Sequence, residues 1–199
     1  MFYHLKGTVS ELGPNLVVLD CAGIGFALNA TVNTVSRLKS GETAKLYVSE
    51  AIGENNFDLY GFFEKSEKRC FEMLISVSGI GPKAALSILS YNTPEGLALS
   101  VLNNDVKALT VAPGIGKKIA QRVILELKDK ISKEMEIADS PLPVFAAPAA
   151  ADSNMSDAMA ALTVLGYSSS ELAPVLKQMD LTGMSAEQII KAVLKQMVR

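Results

Sequence analysis

The segment Val77-Ser78-Gly79-Ile80-Gly81-Pro82-Lys83-Ala84-Ala85 is echoed 35 residues later by Ala112-Pro113-Gly114-Ile115-Gly116-Lys117-Lys118-Ile119-Ala120. Each copy follows an apolar helical segment and opens another helix. Glycine permits φ > 0 and carries no Cβ to hold a phosphate off the backbone. The N–H groups at the start of the following helix point outward with partial positive charge. Lys83, Lys117 and Lys118 add full charges at the same place, while Ile80 and Ile115 are placed to plug between the helices. The chemistry this predicts is anion binding: a phosphate backbone held by main-chain N–H groups, with no side chain aimed at a base edge. The bland alternative is a pair of ordinary helix-connecting turns. Two copies in matched context, each followed by lysine, favour the phosphate site. Gly79-x-Gly81-x-x-Ala84 also fits the dinucleotide fingerprint, but residues 71–77 carry a helical pattern where that fingerprint needs a strand. A Walker A loop fails because Lys117 precedes lysine and residue 111 is valine.

The composition narrows the remaining chemistry. His4 is the single histidine, and Cys21 and Cys70 are the only cysteines, too few for a disulfide framework or a Cys/His zinc cluster. The net charge of −2 divides into −2 over residues 1–62, +3 over 63–135 and −3 over 136–199. A basic middle segment between acidic neighbours suits local nucleic-acid binding better than a wholly basic coat. No run approaches the length of a membrane helix, and the start of the chain lacks a secretory pattern; a cytoplasmic location is expected.

Three folded regions must position these loops, giving an α+β multidomain chain. Residues 1–63 hold five short β-rich runs (3–9, 16–19, 24–30, 44–48 and 57–62) separated by turn signals. Five strands in that length suit an OB-fold barrel, with an SH3-like barrel as the competing choice. Val32, Val35 and Leu38 suggest a short helix plugging the barrel. Residues 64–137 are helical: Phe71, Leu74 and Ile75 form one stripe, and Ala85, Ile88 and Leu89 another. A third stripe is Ala120, Val123, Ile124, Leu127 and Ile131, with Lys118 and Arg122 on the opposite, basic face. Thr93-Pro94 marks a helix start. Residues 138–153, with 6 Ala and 3 Pro among 16, are expected to be a flexible linker. Residues 154–199 carry three amphipathic patterns, with capping boxes at Ser168-x-x-Glu171 and Ser185-x-x-Gln188. This three-helix bundle is small enough for its core to be marginal without a partner.

The paired Gly-Ile-Gly hairpins resemble the helix-hairpin-helix motif of sequence-independent DNA-binding proteins. With the β-domain, the Asp58-Leu59-Tyr60-Gly61-Phe62 strand end, the Ala/Pro linker and the three-helix tail, the whole chain resembles the bacterial RuvA family. The resemblance implies a homotetramer assembled through the OB domain that binds four-way (Holliday) DNA junctions. It implies recombination, repair and SOS-response roles, a RuvB-type hexameric ATPase and the RuvC resolvase as partners, and neither cofactor nor catalytic residue in this chain. By position, Gly79, Ile80, Gly81 and Lys83 match the first DNA-binding hairpin. Gly114, Ile115, Gly116, Lys117, Lys118 and Arg122 match the second. An acidic pin is implied at Glu54 and Asn55, where the family pattern has two adjacent acids. Leu162, Leu165 and Tyr167 match a Leu-Gly-Tyr neighbourhood in the ATPase-binding tail. Tyr167, beside Gly166, is the one expected to be exposed.

Two rival functions follow from the same hairpins. A helix-hairpin-helix repair enzyme (glycosylase, lyase or nuclease) would need a Lys–Asp pair or clustered carboxylates beside a loop. Asp129 lies about three helical turns from Gly116 and is too far to serve. A general duplex-binding adaptor would show no preference for junctions.

Overall fold

A computed structural model of the chain describes residues 1–53, 56–138, 151–176, 178–179, 181 and 183–197. Strands β1 (His4–Gly13), β2 (Leu16–Cys21), β3 (Ile24–Ala30), β4 (Thr43–Ile52) and β5 (Phe57–Phe62) close into a barrel in the order β1-β2-β3-β5-β4. Among the described residues only the β3–β5 pairing is parallel, residues 28–30 against 59–61. That closure, with α1 (Val32–Ser36) between β3 and β4, is the OB arrangement and removes the SH3-like alternative. β1 serves two neighbours: residues 4–8 pair with β4 and 8–13 with β2, and a register shift between Val9 and Glu11 bends the strand. Alternation buries Val17 and Leu19, Leu28 and Ala30, and Leu46 and Val48 in one barrel core.

Five helices follow: α2 (Lys65–Ile75), α3 (Pro82–Tyr91), α4 (Pro94–Leu102), α5 (Val106–Thr110) and α6 (Lys117–Ala138). The chain ends in α7 (Ala151–Val164), α8 (Ser169–Leu176) and α9 (Ala186–Met197). Their starts follow local chemistry. Thr93 Oγ1 accepts from the Gly96 N–H at 3.2 Å with Pro94 in the first turn, and Asp105 accepts from the Lys107 and Ala108 N–H groups. Ser185 and Gln188 form a reciprocal capping box at 2.9 and 3.3 Å. Residues 138 and 151–153, at the ends of the expected linker, are helical; the residues between lie outside those described.

The expected barrel plug divides. Leu38 is buried and Val35 half-buried, but Val32 is exposed. Thr34, the buried residue of α1, meets α2, while the half-buried Val35 packs against the barrel core. Thr31 and Thr34 donate their hydroxyls to the Glu67 carboxylate, Thr34 at 2.6 Å, and the Phe63 N–H donates to Thr34 Oγ1 at 2.9 Å. Burial pushes the Glu67 carboxyl above its ordinary value, and these hydrogen bonds draw it part of the way back.

A second core begins on the outer wall of the barrel. Tyr60 and Phe62 meet Phe71 with ring centroids 4.9 and 5.0 Å apart. It continues through Leu74, Ile88, Leu109 and Val123 to Leu162, Leu172 and Val193. The C-terminal helices therefore share their core with the middle helices, which relieves the shortage expected of so small a bundle. Burial pushes the Cys70 thiol up to about 12, so it packs and does not react. Among the described residues no helix is long and apolar enough to cross a membrane.

Candidate nucleic-acid interface

The sequence repeat is a structural repeat down to its hydrogen bonds. In the first hairpin, between α2 and α3, Val77 N donates to Leu74 O, Ile80 N to Val77 O and Ala85 N to Gly81 O, each at 3.0 Å. In the second, between α5 and α6, Ala112 N donates to Leu109 O at 3.3 Å, Ile115 N to Ala112 O at 3.1 Å and Ala120 N to Gly116 O at 3.0 Å. Gly79 and Gly114 take φ of +88° and +83°, a region that favours glycine. Ile80 and Ile115 are buried, so these two can offer a ligand only their backbone. Gly81 and Gly116 answer to a different demand. A Cβ on either would meet nothing within 4 Å, so the protein's own packing leaves the space in front of them open. Gly81 caps α3 without a side-chain hydrogen bond, leaving the first-turn N–H groups to face that space.

The cations stand around these mouths. Lys83, Lys117 and Lys118 are exposed, and among the described residues none of the three is in an ion pair. Arg122 is placed differently from expectation. It belongs to the second hairpin by sequence, yet α6 leaves that loop and runs past the first one. Its Nη1 lies 3.9 Å from the point where Gly79 would carry a Cβ. Glu126, one turn on, accepts from Arg122 Nε at 3.1 Å and from the Ser78 N–H at 3.3 Å. Lys130, a further turn on, donates to the Ser76 hydroxyl and to its carbonyl at 3.4 Å, at the C-terminal end of α2. In the reverse direction Ser87 of α3 donates to the Pro113 carbonyl at 3.0 Å. Each loop is thus held by the second helix of the other hairpin. The sequence reading missed Ser78, Ser87 and Glu126. One signal was available, since Ser87 and Arg122 are again 35 residues apart and occupy equivalent places in the repeat.

The other expected site residues lie elsewhere. Glu54 and Asn55 fall outside the described residues; next to them, Gly53 N donates to Asn56 O at 2.8 Å across the β4–β5 turn. Tyr167 is not exposed. It is 4% accessible, and its hydroxyl donates to Glu95 Oε1 at 2.7 Å. Gly166 is the reason, with φ of +105° and Ser66 Cα only 2.9 Å from where its Cβ would stand. Only glycine lets the chain come so close to α2 and tuck the tyrosine beneath the start of α4. Leu162 and Leu165 are buried in the shared core. A cleft of about 490 Å³ opens beside Tyr167, lined among others by Arg37, Glu64, Glu67, Glu95 and Glu171. Its excess of carboxylates opposes phosphate.

An OB barrel joined to paired hairpins with open, cation-rimmed loops defines the chain as a tandem helix-hairpin-helix protein. The family comparisons agree region by region. A RuvA N terminal domain model matches residues 1–61, a SAM-like helix-hairpin-helix tandem 71–129, and a RuvA C-terminal domain 153–198. Full-length relatives carry the name Holliday junction branch migration complex subunit RuvA. One from Ruminiclostridium cellulolyticum is 40% identical over 200 residues, covering 98% of this chain and 99% of its own. Others, from Thermoanaerobacter pseudethanolicus and Clostridium botulinum, are 42% and 38% identical, covering 100% of both chains. The chain belongs to the RuvA family.

Proposed function

We propose that this chain is the junction-holding subunit of a branch migration complex, binding four-way DNA by its phosphate backbone and without sequence preference. The observation that carries this is the duplicated loop: two open glycine mouths with outward N–H groups and lysines that have no ion pair among the described residues, built on one helical core, in a chain up to 42% identical to branch migration complex subunits end to end. Backbone donors and lysines position a duplex arm but cannot read its bases. The chain itself does no chemistry on DNA. It works in the cytoplasm and hands the junction to a RuvB-type hexameric ATPase that drives the arms, and in turn to a RuvC-type resolvase.

Assembly as a tetramer through the barrel multiplies modest contacts, since an arm held by one subunit presents the next arm at high effective concentration. Ile52 and Phe57, paired across the β4–β5 hairpin and 74% and 55% exposed, are an apolar surface that supports such assembly. In the tetramer Glu54 and Asn55 form the pin at the junction centre, where a carboxylate repels converging phosphates and keeps strands apart. The C-terminal helices contact the ATPase. Leu162 and Leu165 shape that unit from within, and Tyr167 fixes its seat on α4.

The test is a gel-shift titration of a synthetic four-way junction against linear duplex built from the same strands, with cleavage followed in parallel. The expected result is strong junction preference without cleavage. Equal affinity would leave only a duplex-binding adaptor, and cleavage would restore the repair-enzyme alternative.

A further inference from the structure

We propose that Arg122 is a phosphate ligand of the first hairpin, not of the hairpin whose helix carries it, and that Glu126 is its positioning residue. This rests on both loops being phosphate cradles. The guanidinium spends its Nε on Glu126, and among the described residues its terminal nitrogens have no partner. One of them, Nη1, stands at the mouth of the first loop, 3.9 Å from the vacant Cβ position of Gly79. Glu126 is tied in turn to the Ser78 N–H, so the carboxylate fixes the guanidinium to the loop instead of leaving it to sweep through solvent. With 56% of its side chain exposed, Arg122 can still reach an incoming anion. A planar fork with two free N–H₂ groups matches phosphate geometry.

The unequal charge of the two mouths gives this arrangement its purpose. The second loop is followed by Lys117 and Lys118, and α6 keeps the N–H of its first residue. The first is followed by Pro82, which has no N–H to give, and by Lys83 alone. Arg122 supplies the first mouth with a second cation, held there by its ion pair with Glu126. The exchange runs one way, because the equivalent residue of α3 is Ser87, which is uncharged and donates to the Pro113 carbonyl.

The experiment uses the full chain and a set of four-way junctions, each carrying one uncharged methylphosphonate at a successive linkage along an arm. In the wild type, a neutral linkage weakens binding wherever a hairpin holds that phosphate. Arg122→Ala should weaken junction binding by roughly tenfold or more, as loss of a charge-assisted hydrogen bond does. It should also abolish the methylphosphonate penalty at the linkages where Lys83→Ala abolishes it, while Lys118→Ala acts at a different set. A set for Arg122→Ala that coincides with that of Lys118→Ala, or with neither, overturns the proposal. If no linkage carries a penalty in the wild type, the cradle reading itself fails, which is a separate and recognisable result. Glu126→Gln should weaken binding by roughly threefold when Arg122 is present. In the Arg122→Ala background it should leave binding unchanged or tighten it, because only repulsion of the phosphate is then removed. Equal weakening in both backgrounds would assign Glu126 a purely structural role.

Discussion

The two hairpins share a backbone and differ in almost everything attached to it. Loop hydrogen bonds, left-handed glycines and buried isoleucines superimpose in kind. The anchors do not. The first hairpin is tied to the barrel domain, by Tyr60 and Phe62 on Phe71 and by the buried polar contact of Thr31 and Thr34 on Glu67, whereas α6 of the second packs by apolar side chains against the C-terminal helices. The charges differ as well, with one lysine after the first loop and two after the second. The difference teaches that the repeat preserves the loop backbone and its buried isoleucine, and leaves the surroundings free to fit each copy to its neighbours.

The largest expected effects test the shared part. Ile80→Ala and Ile115→Ala should each cost about 2–5 kcal/mol in denaturant unfolding, as large-to-small core changes do. A near-neutral result at one would break the equivalence of the two copies. Charge comes next. Lys117→Ala with Lys118→Ala should reduce junction affinity more than tenfold and lower the salt slope by about one for each phosphate no longer neutralised. Lys83→Ala should do about half as much to the slope; equal losses would mean that the unequal charges do not matter. Gly79→Ala and Gly114→Ala should each destabilise by about 1–2 kcal/mol, because a Cβ is strained at positive φ. Thermal melts check whether the two values agree.

The smallest effect separates the anchors by pH. Glu67 holds its proton more tightly folded than unfolded, since burial raises its carboxyl. Its contribution to stability is therefore full below the ordinary carboxyl value and is lost as pH rises through the raised one. Glu67→Gln should flatten that part of the stability–pH curve. An unchanged curve would mean that the polar anchor does not titrate.

Most of the architecture was legible in the sequence because it rests on local rules. Period-two runs marked the barrel, helical stripes and Thr93 or Ser185 caps marked the helices, and repeated glycines marked the loops. What was not legible depends on which surfaces meet. Val32 looked apolar enough to plug a barrel, but α1 turns its threonines to a carboxylate 33 residues or more away in sequence. Tyr167 read as exposed because nothing local reveals that Gly166 brings the chain against Ser66. Arg122 matches its own hairpin by position, and sequence proximity is silent on its Nη1 also standing beside Gly79 of the other.

Whether phosphate sits in the open space before Gly81 and Gly116 is tested most directly by replacing both glycines with aspartate. Aspartate is a favoured N-cap whose carboxylate takes up first-turn N–H groups, so Gly81→Asp with Gly116→Asp should hold or raise the melting temperature. The same carboxylates would fill both mouths and repel the backbone, so junction binding should be lost. A double variant that folds and still binds four-way DNA with wild-type affinity would contradict phosphate binding at the glycine loops.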